Sequence, residues 1–233
     1  DPDPSVAGKG HEMLRAAGIE VVTGICAEEA RRAHEGFLLN RTEGRPFVTL
    51  KLATTLDGRI ATASGESRWI TGVQARRAVH LMRATHDAVL VGSGTVRADD
   101  PELTVRDLGT GRQPVRVVFD SALGTPLDGR LAATLEAAPL GLCHGPAAEA
   151  GRVSAWQERG ARTIACETGA DGRLDPLDAL VRLGAAGLTR VFCEGGGALA
   201  ASLLRRGLVG RLAQFIAPKA IGAEGVPGLG PLG

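Results

Sequence analysis

PFVTLKLATTLDGRIATASGESRWITGVQARRAVHLMRATHDAVLVGSGTVRADDPELTVR, residues 46–106, decides how this chain is read. Its first apolar run, 47–52, has the length of a strand and carries one charge, Lys51. Asp57-Gly58 is a turn pair, and Ser64-Gly65-Glu66-Ser67 is a polar loop. Thr71 stands where an N-cap belongs, ahead of an amphipathic pattern that runs to about Thr85. A second strand-length run, 87–91, is followed at once by Gly92-Ser93-Gly94-Thr95. Asp99-Asp100-Pro101 and the strand-like Leu103-Thr104-Val105-Arg106 close the stretch. Polar residues therefore collect where strands end, the place where open α/β sheets take their ligands.

Downstream, strand and helix patterns alternate. Strands are expected at 115–119, 140–143, 162–166, 191–193 and 212–216, the last one visible. Helices are expected at 147–159, stopped by Gly160, and at 198–206, stopped by Gly207. Asp175-Pro176 opens another helix, with Asp175 as N-cap and proline at the first position. Such alternation predicts an α/β fold with a doubly wound, mostly parallel sheet. Upstream, 10–17 reads as a helix stopped by Gly18, 19–22 as a strand, and 27–40 as a linker helix.

Composition narrows the function. At 233 residues the chain holds one good-sized domain, or one domain plus a fragment. A net charge of +1 gives no electrostatic case for nucleic acid or acidic membranes. Tyrosine is absent and aromatic residues total 3%, so stacking platforms for single strands are not expected. Cys26, Cys143, Cys166 and Cys193 share no metal-ligand spacing, so buried reduced thiols and no metal site are expected. No signal peptide or apolar run of membrane-spanning length is seen, which fits a cytoplasmic enzyme.

Glu194-Gly195-Gly196-Gly197 lies between an apolar strand and a helix. Without side chains the backbone can approach a phosphate, and the helix N-terminus offers free N–H groups. Glycine also admits any positive φ that such a turn requires. A packing role for the glycines is the alternative. Gly92-Ser93-Gly94-Thr95 is a second turn of this kind, and two on one sheet suit a long, two-ended ligand. Arg83 lies late on its helix, where a solvated arginine is the ordinary reading. Arg106 follows a strand-like run, where a guanidinium fork suits a phosphate or a pyrimidine edge. Lys51 is either an edge-strand guard or a partner for a substrate oxygen.

KLATTLDGRIA, SGESRWITG, ARRAVHLMRATHDAVLVGSGTVRADDPELTVR, VFCEGGGALAASLL and IAPKAIG, in this order across 47–222, resemble the reductase domain of the bifunctional riboflavin-biosynthesis deaminase/reductase. The resemblance implies a dihydrofolate-reductase-like fold and NADPH-dependent reduction of 5-amino-6-(5-phosphoribosylamino)uracil, a pyrimidine ribose phosphate, to its ribityl form. It assigns cofactor contacts to Ala53, Trp69, Thr95, Asp99, Ser121, Gly196, Gly197, Ala198, Leu199, Ala200, Ala201 and Ser202. Substrate contacts fall on Ser67, Arg83, Leu103, Arg106 and Glu194. It tips Lys51 toward the substrate, and Lys51 and Asp99 become the candidates for polarising or protonating ribose oxygens. Residues 1–44 resemble the tail of a deaminase domain plus a linker helix, without H-x-E or a P-C-x-x-C-like ligand set. Residues 45–233 would be the reductase, lacking its last strand, with a homodimer and the missing deaminase domain as partners. Relatives carry basic residues after the Asp-Ser pair for the cofactor's 2′-phosphate, and Ala122-Leu123-Gly124 stands here instead. Two rival readings are a reductase acting on the 2,5-diamino pyrimidinone before deamination, and a non-catalytic nucleotide-binding module.

Overall fold

The computed structural model describes residues 3, 6–66, 72–109 and 111–232. Its centre is a sheet of seven strands in the order β6-β5-β4-β3-β7-β1-β8. These are β1 (Phe47–Thr55), β3 (Ala88–Gly92), β4 (Val115–Phe119), β5 (Leu140–His144), β6 (Arg162–Ala165), β7 (Arg190–Cys193) and β8 (Arg211–Ala217). Every neighbouring pair is parallel. A small antiparallel pair stands apart, β2 (Arg59–Ala61) with β9 (Val226–Pro227).

Period-two burial explains the three layers. Leu90 and Val117 face one side, where they join Ala179, Leu180 and Leu183 of α8 (Pro176–Ala185) and Ala200 and Leu203 of α9 (Gly197–Arg205). Val89, Val91, Val118 and Phe192 face the other side. There they meet Val79 and Met82 of α4 (Val73–Ala84), Leu131 of α6 (Arg130–Ala133) and Trp156 of α7 (Ala150–Glu158). A sheet buried on both faces needs apolar residues at nearly every position, which is why 88–91 reads as a continuous apolar run.

The winding direction places the site. From β3 the chain passes through α5 (Ser93–Asp99) outward to β4, β5 and β6. It then returns to β7 beside β3 and leaves through α9 in the opposite direction, to β8. The carboxyl ends of β3 and β7 are therefore a topological switch point, where a crevice opens between diverging connections.

Several sequence expectations need correction. Residues 19–22 form no strand: Ile19 and Val22 are exposed, the Ile19 N–H donates back to the Leu14 carbonyl, and no strand among the described residues pairs with the segment. The linker helix is two, α2 (Ala27–Ala33) and α3 (Glu35–Glu43), broken at His34. Upstream of them lies α1 (Lys9–Ala16), and neither α1 nor α2 buries a residue. Residues 103–106 are irregular, with Leu103 at φ 59°. Thr71 lies outside the described residues, and Gly72 is the N-cap of α4 without a side-chain cap. The strand at 212–216 is not the last, since β9 follows it. Nor is every cysteine buried, because Cys26 is exposed.

Candidate active site

β1 lies between β7 and β8, so Lys51 guards no edge. It lines a cavity of about 490 Å³ at the switch point, together with Ala53, Thr95, Asp99 and Glu194. Burial lowers the Lys51 pKa, and Arg83 pushes the same way, whereas Glu194 and Asp99 oppose them. Glu194 is held by a forked pair: Arg83 Nε donates to Oε1 at 2.5 Å and Nη2 to Oε2 at 3.1 Å. Arg83 Nη1 donates to the Thr104 carbonyl at 2.8 Å. Both side chains are nearly buried, at 12% and 9% exposure, so the fork fixes Glu194 beside Lys51 rather than dangling in solvent. Arg83 thus touches the cavity through Glu194, and its reading as a solvated helical arginine does not hold.

The Gly-rich turn departs from its expected chemistry. None of Gly195, Gly196 and Gly197 has a positive φ. Gly196 caps α9 in an extended conformation, φ −68° and ψ 175°, and no side chain caps the helix. The space around them differs along the turn. A Cβ on Gly195 would lie 2.7 Å from Leu199, and one on Gly197 would lie 3.1–3.2 Å from backbone atoms of Pro227, Gly228 and Gly230. A Cβ on Gly196 would meet only Thr95 Oγ1, at 3.7 Å. Gly196 is therefore the glycine that keeps the cavity open, while its neighbours serve packing. The Gly196 N–H donates to Thr95 Oγ1 at 3.2 Å, which ties the two Gly-rich turns together.

A second cavity of about 280 Å³ adjoins the first through Gly92, Gly94, Ala198 and Leu199. It is lined further by Ser121 and Ser202, together with Arg97 and Arg173. The joined cavities, with the uncapped start of α9 between them, fit an extended dinucleotide. Ala53, Thr95, Asp99, Gly196, Gly197, Ala198, Leu199, Ser121 and Ser202 line one cavity or the other. Ala200 and Ala201 do not: at 0% and 1% exposure they belong to the core face of α9, as a helical period of 3.6 requires.

Two substrate candidates line neither cavity. Leu103 is a core residue at 3% exposure, packed in the cluster around Val91 and Trp156. Arg106 Nη1 pairs with Glu102 at 2.9 Å, and its backbone N–H donates to His80 Nδ1 at 3.2 Å. Glu102 also holds Arg130, and His80 beside Arg106 feels the charges of Arg83, Arg106 and Glu194 together. Ser67 and Trp69 lie outside the described residues. Sequence reading missed Ile60, Ala61, Gly65 and Gly228, which line the larger cavity. It also missed Arg97 and Arg173. The first group carries no chemical signal in sequence, and the two arginines are indistinguishable there from surface charge.

The profile of the RibD C-terminal domain family matches residues 46–232. The riboflavin biosynthesis protein RibD of Aquifex aeolicus is 40% identical over 233 residues, which covers all of this chain and 63% of that protein. Acinetobacter baumannii RibD superposes with a TM-score of 0.84 at 34% identity, covering 99% of this chain and 62% of that one. A Thermotoga maritima structure named diaminohydroxyphosphoribosylaminopyrimidine deaminase/5-amino-6-(5-phosphoribosylamino)uracil reductase superposes with a TM-score of 0.80 at 33% identity, over 98% of this chain and 60% of that one. This chain therefore spans about three fifths of the relatives it matches. Its parallel seven-stranded sheet is the dihydrofolate-reductase-like fold of the RibD reductase domains. With four fifths of its length under the family profile and a relative 40% identical across the whole of this chain, the chain belongs to the RibD C-terminal domain family.

Proposed function

We propose that this chain reduces the ribosyl side chain of 5-amino-6-(5-phosphoribosylamino)uracil to ribityl, using NADPH, in riboflavin biosynthesis. Family membership and the name of the Thermotoga relative support the substrate. The observation that carries the reading is Lys51, a half-buried lysine that lines a dinucleotide-sized crevice together with a clamped carboxylate. A bound nicotinamide supplies hydride to the sugar C1′. The chain's own residues then have to hold the sugar still and deliver a proton. If the closed ring reacts, the C1′–O4′ bond breaks and O4′ takes a proton from Lys51 Nζ. If the open-chain imine reacts, the nitrogen takes it. Either way hydride and proton balance, and Lys51 is recharged from solvent. A lowered ammonium pKa makes Lys51 a stronger acid near neutrality than a solvated lysine. Glu194 and Asp99 favour its charged form, against burial and Arg83. Asp99, exposed at the end of α5, orients the ribose hydroxyls in this reading. A deaminase domain and a second copy of the chain complete the proposed assembly.

The test is steady-state loss of reduced-nicotinamide absorbance with the deaminated pyrimidine. Lys51→Ala should lower turnover by about 10²-fold or more, the usual worth of a positioned acid. Lys51→Arg should restore charge but little turnover. The wild-type rate should fall as pH rises through the lowered lysine pKa, because only the ammonium can donate. Lys51→Ala with wild-type turnover would remove the lysine from the chemistry. Reduction of the 2,5-diamino compound in preference to the deaminated one would overturn the substrate assignment.

A further inference from the structure

The residues expected after Asp120-Ser121 to meet a 2′-phosphate are absent here, since Ala122-Leu123-Gly124 replaces them. The smaller cavity supplies a different solution. We infer that Arg97 and Arg173 together form an anion clamp for the cofactor's 2′-phosphate, and that this clamp selects NADPH over NADH. The inference rests on the nicotinamide-reductase reading above.

Four observations carry it. First, both arginines line the cavity that holds Ser121, at the carboxyl end of the sheet, and no carboxylate lines it. The larger cavity, by contrast, mixes Lys51 with Asp99 and Glu194. Cationic charge without an opposing carboxylate is thus confined to the smaller lobe. Second, the two guanidinium groups are available. Arg97 makes no hydrogen bond or ion pair among the described residues. Among the described residues the Arg173 guanidinium has only a 3.9 Å contact to Asp171, with both side chains more than 60% exposed. Such a contact is screened by water and yields readily to a dianion. Third, Ser121 Oγ accepts the Leu174 N–H at 3.1 Å, which leaves its own hydroxyl proton as a donor next to Arg173. Fourth, the acid that would favour NADH is occupied. A carboxylate at the end of such a strand can accept from a ribose 2′-hydroxyl. Asp120 holds that place, but it is only 3% exposed. Its Oδ2 accepts the Thr125 N–H and Oγ–H at 2.6 and 2.7 Å. It closes its own turn instead of facing a ribose.

The two arginines come from separate elements, α5 and the turn that precedes α8. They converge only through the fold, which is why the sequence after Asp120 looked uncharged. Isothermal titration with 2′,5′-ADP and 5′-AMP isolates the 2′-phosphate, because the two differ by that group alone. The wild-type chain should bind 2′,5′-ADP about tenfold or more tightly than 5′-AMP, in line with one or more charge-assisted contacts. Arg97→Ala and Arg173→Ala should each narrow that ratio, and the double variant should abolish it while 5′-AMP affinity moves less than about twofold. Arg173→Lys should retain part of the preference, since it keeps the charge without the fork. Circular dichroism on the same samples checks folding. A wild-type chain without a 2′-phosphate preference, or a double variant that keeps it, overturns the clamp and leaves the reductase reading standing. Loss of the preference in a chain that reduces no pyrimidine would keep the clamp and overturn the reductase reading. Failure to bind any of 2′,5′-ADP, 5′-AMP, NADPH and NADH would overturn both.

Discussion

Gly196 and Gly197 are adjacent and chemically identical, yet their surroundings predict opposite outcomes. A valine at 196 would project toward open cavity, with Thr95 Oγ1 the nearest atom to its Cβ at 3.7 Å. Gly196→Val should therefore leave a folded protein that has lost nicotinamide binding by steric occlusion. At 197 the Cβ meets backbone of Pro227, Gly228 and Gly230 within 3.2 Å, and backbone cannot swing aside. Gly197→Val should destabilise by roughly 1–3 kcal/mol, the usual cost of overpacking. Titration of reduced-nicotinamide fluorescence beside urea denaturation separates the two effects. Equal loss of stability in both variants would show that Gly196 too is a packing residue. Sequence alone treated these positions alike, because a run of three glycines carries no record of what each lies against.

Among the elements, the start of α8 was legible because it is written locally. Pro176 occupies the first turn, and Asp175 Oδ1 accepts the N–H groups of Leu177 and Asp178 at 2.8 and 3.3 Å. Asp175 Oδ2 also takes Arg206 at 2.7 Å. Asp175→Ala should cost about 0.5–2 kcal/mol in chemical denaturation, mostly from the lost cap, since the Arg206 pair is half exposed. A stability change below a few tenths would mean the proline alone sets the helix start. β8 is the contrasting case. Among the described residues it pairs with β1 only, and Leu212 and Ile216 are more than half exposed on it. An unpaired apolar edge invites strand addition from another chain. Leu212→Lys with Ile216→Lys should lower concentration-dependent association in light scattering, with stability held within about 0.5 kcal/mol. Undiminished association would place the contact on another surface.

Acid sensitivity belongs to the whole molecule, and His86 is one of its sources. The ring lies just before β3, 9% exposed, at a tilt to Phe192. Nδ1 is 2.7 Å from the Met82 carbonyl, so it carries the proton, and Nε2 accepts the Thr49 hydroxyl at 2.9 Å. Burial lowers its pKa; the Met82 carbonyl and Asp87 oppose this, while Arg190 and Arg211 add to it. The sign follows. Between its folded and unfolded pKa values the unfolded chain binds the extra proton, so stability rises with pH through that window. His86 contributes fully above the unfolded value near 6.5 and loses its contribution as pH falls below it. Denaturation midpoints should therefore decline from pH 7 to pH 5, and more shallowly in His86→Gln. A wild-type slope equal to that of the variant would assign the acid sensitivity to other groups.

What the sequence determined by itself was whatever depends on neighbours in the chain. Uninterrupted apolar runs marked strands buried on both faces. Proline and aspartate marked a helix start, and glycine-rich turns after strands marked a crevice. Their alternation marked a parallel, doubly wound sheet. Tertiary structure alone decided which charges face that crevice. Lys51 could be an edge guard until β8 was found outside β1. Arg83 could be a solvated residue until Glu194, 111 positions away, was found in its fork. Arg106 was a lone arginine after an apolar run until Glu102 and His80 were found beside it. Arg97 and Arg173 were two surface charges until the winding of the sheet brought them to one cavity. Coulomb and hydrogen-bond energies fall off over a few ångströms. A charge's role is therefore set by what the fold carries to that distance, which one-dimensional spacing does not encode.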